Sequence, residues 1–435
     1  MNRLLAVVGS MMGLGTLSAF AADAPKIDSG DTAWVLVCSA LVLLMTPGLA
    51  FFYGGLVRRK NVLSILMQCF MIMCLVTLQW VVFGYSLSFG PDRNGWIGSL
   101  AWAGLKGVGL ESFPDYSATI PHQAFMIFQA MFAIITPALI VGAFAERMKF
   151  LPFCVFVLLW STLVYDPVAH WVWGVGGFLR TMGALDFAGG TVVHINAGVA
   201  ALAAALVLGK RQGFPHKLSP PHSLPLAVLG AGLLWFGWFG FNAGSALGAN
   251  GLAVTAFVAT HVAAAAAGIA WGIMDMVVNS RFTMLGVITG AVAGLVAITP
   301  AAGFVTPMGA MLLGLSAGVI CYLSVTYMKT KLGYDDALDA FGVHGVGGIW
   351  GALATGLWAT TSVNSAGTNG LFYGNPALLW IQVKAVLITL AYSFLVSYVL
   401  LKLIHAAFGL RVSDHEERIG LDLSEHREVG YTQLD

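Results

Sequence analysis

"TVVHINAGVAALAAALVLG", residues 191–209, has the length and apolarity of a membrane span, yet an ionisable residue, His194, sits inside it. A second stretch, "AFGVHGVGGIWGALATGLW" at 340–358, repeats the pattern with His344. On a helix, positions i±3 and i±4 share a face. The neighbours of His194 therefore include Gly190, Ala197 and Gly198, and those of His344 include Ala340, Gly347 and Gly348. Two readings of these small residues stand side by side. One is close packing, because small side chains let membrane helices approach; the other is a narrow tunnel lined by imidazole and little else. Either way a sugar or an amino acid has no room, and only a very small substrate fits.

Composition sets the class of protein around these histidines. The chain has 435 residues, 58% hydrophobic and only 9% charged, with mean hydropathy +0.84. A soluble domain carries about a quarter charged residues, so this chain has too little polar surface to face water. Apolar runs of about 20 residues make it a polytopic membrane protein. A net charge of +1 argues against nucleic acid, which requires a basic face. Cys38, Cys69, Cys74, Cys154 and Cys321 all lie in apolar runs. Their spacing fits no metal motif, so they read as buried small hydrophobes. Residues 1–21, with Arg3, an apolar run and Ala19-Phe20-Ala21, read as a cleavable secretory leader.

Hydropathy places eleven spans, beginning near residues 32, 62, 122, 151, 189, 224, 252, 283, 307, 340 and 378. One set of loops, "VRRKN", "ERMKF", "GKRQGFPHK", "NSRF" and "MKTK", holds eleven Lys and Arg residues. The opposite set holds four: Lys26, Arg93, Lys106 and Arg180. The positive-inside rule then puts the mature N-terminus outside and the C-terminus inside. The transporter domain covers 22–408, and the charged residues 409–435 form a cytoplasmic tail. His194 falls on the fifth span and His344 on the tenth. Two five-span repeats would enter the membrane from opposite sides, as an inverted pair with its substrate path at the shared interface.

"FYGGLVRRKNVLS", "GWFGFNAGSA", "GALDFAGGTVVHINAG", "FGVHGVGGIWG" and the tail "GLRVSDHEERIGLD" resemble the ammonium transporter (Amt/Mep/Rh) family, of the bacterial type. The likeness runs from about residue 34 to the end, through five long motifs in order. It implies an all-α fold of eleven helices, an inverted 5+5 repeat plus a final helix, assembled as a homotrimer with one pore per subunit. It also implies a bacterial inner-membrane location, ammonium or ammonia as substrate, and no cofactor. By this resemblance Trp173, Ser245, Phe128 and Phe132 bind ammonium in an outer vestibule. Phe132 and Phe241 are stacked gate residues, Asp186 is the buried acid below the vestibule, and His194 and His344 are the twin pore histidines. The tail match implies docking of a PII-type nitrogen-regulatory protein. One departure is the glycine run of the vestibule, which here reads Gly174-Val175-Gly176-Gly177.

Physical chemistry agrees with these roles. A cation over aromatic faces gains about 0.5–2 kcal/mol, far less than the idealised cost, tens of kcal/mol, of burying a bare cation. Ammonium releases its proton at neutral pH for about 3 kcal/mol, so deprotonation is the cheaper way through an apolar constriction. Potassium has no such route. Neutral imidazoles can hydrogen-bond ammonia, and a facing pair can pass a proton. Passive ammonia conduction, with the histidines as fixed posts, is the alternative.

Other residues carry plainer readings. Asp186 starts a span, where capping and an electrostatic role are compatible. Asp339, five residues before His344 and about 140° round an ideal helix, should not share its face and reads as structural. His261 in "ATHVAAAAAG" reads as structural or interfacial. Two other functions stay open: a sensor signalling through its tail with little transport, and a haem protein ligated by the two histidines.

Overall fold

The computed structural model describes residues 26–216 and 220–431; the leader expected over 1–21 lies outside them. Nine of its helices are long and apolar enough to cross a membrane, counted among the described residues. They are α1 (Ser29–Leu56), α2 (Arg59–Phe89), α3 (His122–Phe144), α4 (Phe150–Met182), α5 (Gly190–Leu208), α6 (Leu224–Gly244), α7 (Gly251–Asn279), α9 (Pro307–Leu332) and α11 (Pro376–Phe408). Two shorter ones fill the places expected near 283 and 340: α8 (Met284–Ile298), and α10, Phe341–Gly345 running on through Val346–Trp358. Local chemistry sets the boundaries. Ser223, Asn250, Thr283 and Thr306 each accept a first-turn N–H at the start of α6, α7, α8 and α9, which satisfies donors that a helix start leaves open. Between α2 and α3 the chain forms two small antiparallel hairpins, β1–β2 (Asp92–Arg93, Ile97–Gly98) and β3–β4 (Ser112–Phe113, Ser117–Pro121).

Where α5 meets α10 the two helices run antiparallel. A Cβ on Gly198 would lie 2.1 Å from the Gly345 nitrogen, and one on Gly348 would lie 2.9 Å from the Ile195 nitrogen. Residue 195 thus meets 348 and 198 meets 345. The numbering runs in opposite directions across the contact, as copies inserted from opposite sides require. The other small residues on the histidine faces also pack between helices: Gly190 faces Pro300, and Gly347 faces Val296 and Cys321. Packing, not tunnel lining, is their role. The first helix of each half docks in the same manner, with Gly230 against the Phe52 backbone and Gly237 against Met45.

Three cysteines, Cys38, Cys69 and Cys321, are buried as expected, but Cys74 is exposed and Cys154 half-buried on the bundle surface. In an apolar run on a membrane helix, hydropathy does not say whether a side chain faces a neighbour or the outside. His261 lies on that surface too, its ring 5.4 Å from that of Trp235.

The tail is not a solvated end. It forms α12 (Asp414–Ile419), opened by a Ser413/Glu416 capping box, and α13 (Leu421–His426). The Lys149 N–H donates to the Leu410 carbonyl at 2.8 Å and the Val412 N–H to that of Arg147 at 3.1 Å. The Gln212 N–H donates to Glu417 Oε1 at 2.8 Å, and the Leu421 N–H to Asn61 Oδ1 at 2.8 Å. These bonds tie it to the first turn of α2 and to the loops after α3 and α5.

Candidate functional site: a constricted path past two histidines

Each histidine rides on a π-helical turn, His194 on Gly190–Ile195 and His344 on Phe341–Gly345. Such turns bulge the backbone and recur at functional positions. An aspartate eight residues upstream secures each one. Asp186 Oδ1 accepts the N–H groups of Gly189 (2.8 Å) and Gly190 (2.7 Å), and Oδ2 those of Thr191 (2.8 Å) and Val192 (3.1 Å). Its capping role is therefore direct. In the other half, Asp336 accepts from Ala340 N–H at 3.1 Å and Phe341 N–H at 2.7 Å. Sequence reasoning passed over Asp336, although the shared spacing from Asp186 to His194 and from Asp336 to His344 was there to find it.

The two imidazoles stack with centroids 5.4 Å apart and planes 15° apart. Both nitrogens of His194 and Nδ1 of His344 are buried without a hydrogen-bond partner among the described residues. They border a cavity of about 10 Å³ walled by Leu49, Ile135, Leu139, Leu234, Trp238 and Phe241 among others, room for one water-sized molecule. No macrocycle fits in a space of that size, so the haem reading is not favoured. Trp238 also escaped the sequence reading. It stacks on His194 at 5.4 Å and stands three residues before Phe241, on the same helix face.

On the side away from the tail lies a cavity of about 190 Å³, lined by Trp173, Phe132, Ser245, Tyr116, Phe187 and Gln129 among others. Trp173 is held by its Nε1–H on the Asp186 carbonyl at 2.9 Å, and the Ser245 hydroxyl donates to the Phe241 carbonyl at 2.9 Å. Phe132 lines this cavity and Phe241 the constriction, and their ring centroids stand 4.3 Å apart. Phe128, expected beside this vestibule, does not border it. It is fully buried behind Phe132, with its ring 5.0 Å away and edge-on. The Val175 that interrupts the glycine run is accommodated because its side chain is exposed. Gly174 and Gly177, by contrast, are pressed against His170.

On the tail side a cavity of about 320 Å³ is lined by His344, Asp339, Tyr53, Trp271, Asp275 and Tyr322 among others. Asp339 thus shares a cavity with His344, contrary to the helical-wheel expectation. It precedes α10 and has a left-handed backbone (φ 62°), so the 140° count does not apply. It is ion-paired with Lys329, which agrees with a structural role.

A bundle of apolar helices around two wide mouths and a one-molecule constriction defines a membrane transport protein for a very small solute. The profile of the Ammonium Transporter Family matches residues 33–431. The ammonium transporter of Bacillus subtilis is 55% identical over 402 residues, 92% of this chain and 98% of that protein. Ammonium transporter Amt1 of Archaeoglobus fulgidus is 50% identical over 93% of this chain and 100% of its own length. The crystal structure of Saccharomyces cerevisiae Mep2 superposes with a TM-score of 0.84 at 38% identity, covering 89% of this chain and 88% of that one. The chain belongs to the ammonium transporter family and is a multi-pass membrane protein of ammonium transport.

Proposed function

We propose that the protein takes up ammonium by separating it into a proton and neutral ammonia. Ammonium is recruited over Trp173 and Phe132 with Ser245 as hydrogen-bond acceptor, while Phe128 holds Phe132 in place. As it passes the Phe132/Phe241 gate it gives up its proton to an unpartnered ring nitrogen of His194. Ammonia then passes His194 and His344, and the imidazole pair carries the proton. The observation that carries this reading is the stacked pair itself. Its unpartnered ring nitrogens face room for one small molecule between apolar walls, where ammonia can be bonded and a bare cation cannot be solvated. Asp186 contributes by fixing the turn that aims His194.

In this reading the protein works as a homotrimer in a bacterial inner membrane, N-terminus periplasmic and C-terminus cytoplasmic, one pore per subunit. The packed tail offers its face to a PII-type regulatory protein. The test is ammonium-evoked current in proteoliposomes for wild type and for His194→Ala/His344→Ala. A wild-type current that potassium does not elicit and the double mutant loses supports the relay. An ammonia-driven internal pH change without current replaces it by passive conduction.

A further inference from the structure

The tail side of the molecule gathers positive charge at one place. A cavity of about 950 Å³ there is bordered by Arg58, Arg59, Lys60, Arg211 and Arg418, five cations against the single carboxylate of Glu146. The cations come from three separate segments: the junction of α1 and α2, the loop after α5, and tail helix α12. The nearby acids are already engaged. Glu146 pairs with Arg58 and Asp335 with Arg211, while Glu417 of the tail pairs with Arg411. Arg59 and Arg418 are exposed and enter no ion pair among the described residues. The Lys60 ammonium donates to the Arg418 carbonyl, so tail and body meet with cations on both sides.

A positive-inside bias spreads Lys and Arg over one membrane face; it gives no reason for them to converge on one cavity. Like charges gathered without a counter-charge repel, and an anion among them removes the repulsion. Guanidinium groups take phosphoryl oxygens in bidentate fashion, with an ammonium as a further point charge. Leu56, Ala337 and Leu338 border both this cavity and the one that reaches His344. The cavity therefore lies among loops at the tail-side mouth of the path, not on the lipid-facing flank, and draws its occupant from the aqueous phase.

We infer that Arg59, Lys60 and Arg418 form a site for a free multivalent phosphoryl anion, of the diphosphate class, that bridges the tail to the start of α2. Its charge excludes ammonium as the ligand, so the site stands apart from the transport path and does not rest on the relay. Bound there, the anion offsets the repulsion between Arg418 and the body and holds the tail down.

The test is isothermal titration of the full chain in neutral detergent with inorganic pyrophosphate, beside hydrogen exchange of residues 414–426. The expected result is saturable binding that slows exchange of the tail. Affinity should fall at least about five-fold in Arg59→Gln and in Arg418→Gln, and should not change in Arg93→Gln, on the opposite face. No saturable binding to the wild type, equal affinity in all three variants, or tail exchange that pyrophosphate leaves unaltered overturns the site. Both arginines are exposed, and the melting temperature of each variant verifies its fold. Nanodiscs of phosphatidylcholine, with and without phosphatidylglycerol, separate the free anion from a lipid headgroup of the same chemistry. Equal pyrophosphate binding in both supports the free anion; binding abolished by phosphatidylglycerol gives the cavity to the headgroup and overturns it.

Discussion

At the residue scale, two buried acids do similar work at different strengths. Asp186 satisfies four backbone N–H groups, Asp336 two. A buried donor left unpaired costs about 1–3 kcal/mol. Asp186→Asn should therefore destabilise the protein by about 2–4 kcal/mol, and Asp336→Asn by less. Thermal unfolding in detergent checks the order; equal midpoints for both variants and wild type would remove the capping argument. If ammonium is recruited as proposed, Trp173→Leu removes a cation–π contact worth about 0.5–2 kcal/mol and should raise half-saturation about 2- to 30-fold. Phe128→Leu should change it less than about two-fold, because its ring is shielded behind Phe132. Uptake assays over a range of ammonium concentrations compare them directly; a larger effect at Phe128 would contradict this placement.

At the element scale, the contact of α5 with α10 decides whether the histidines meet. Their stacking depends on backbones brought together at Gly198 and Gly348. A methyl at Gly198 would sit 2.1 Å from a backbone nitrogen, and no flexible side chain is there to give way. Gly198→Ala should cost at least the about 1–3 kcal/mol typical of overpacking, and part the imidazoles. Gly348→Ala, whose added atom has 2.9 Å, should be milder. Melting temperature and ammonium flux should fall together, Gly198→Ala more than Gly348→Ala.

At the scale of the whole molecule, charge ties the tail to the body. Glu146 accepts from Arg58 and Asn61, and Asn61 in turn accepts from Leu421 of the tail. Arg211 binds Asp335 at 2.8 Å. Burial pushes the Glu146 carboxyl up, but the Arg58 hydrogen bond and the charges of Arg58 and Arg211 outweigh it and hold the group below its ordinary range. Asp335 is likewise pushed up by burial and held low by the Arg211 hydrogen bond and charge. A depressed carboxylate contributes stability that is full above its unfolded pKa, about 4, and is lost as pH falls through the folded value. The tail should thus stay docked at neutral pH and release only in acid below about pH 4. Arg211→Ala, which raises both carboxyls, should move release to higher pH. Hydrogen exchange of residues 410–426 reads this; a release point that Arg211→Ala leaves unchanged would count against the network.

The sequence by itself determined the class and the order of the spans, because water's exclusion from lipid leaves a long apolar signature in each helix. It also determined the paired histidines and, through five motifs, the family. The motifs picked out residues that the fold brings together: Phe132 and Phe241 stack, and Trp173 and Ser245 share a cavity. The tertiary structure alone decided which way side chains face. Hydropathy is blind to direction in a chain apolar on every side, so Phe128 moved behind the gate and Cys74 to the surface. The small residues near the histidines became packing rather than tunnel wall. The backbone also decided Asp339, because a left-handed residue before the helix voids any wheel drawn through it. Asp275 and Tyr322 stand 47 residues apart in the chain, and only the fold brings them to one cavity.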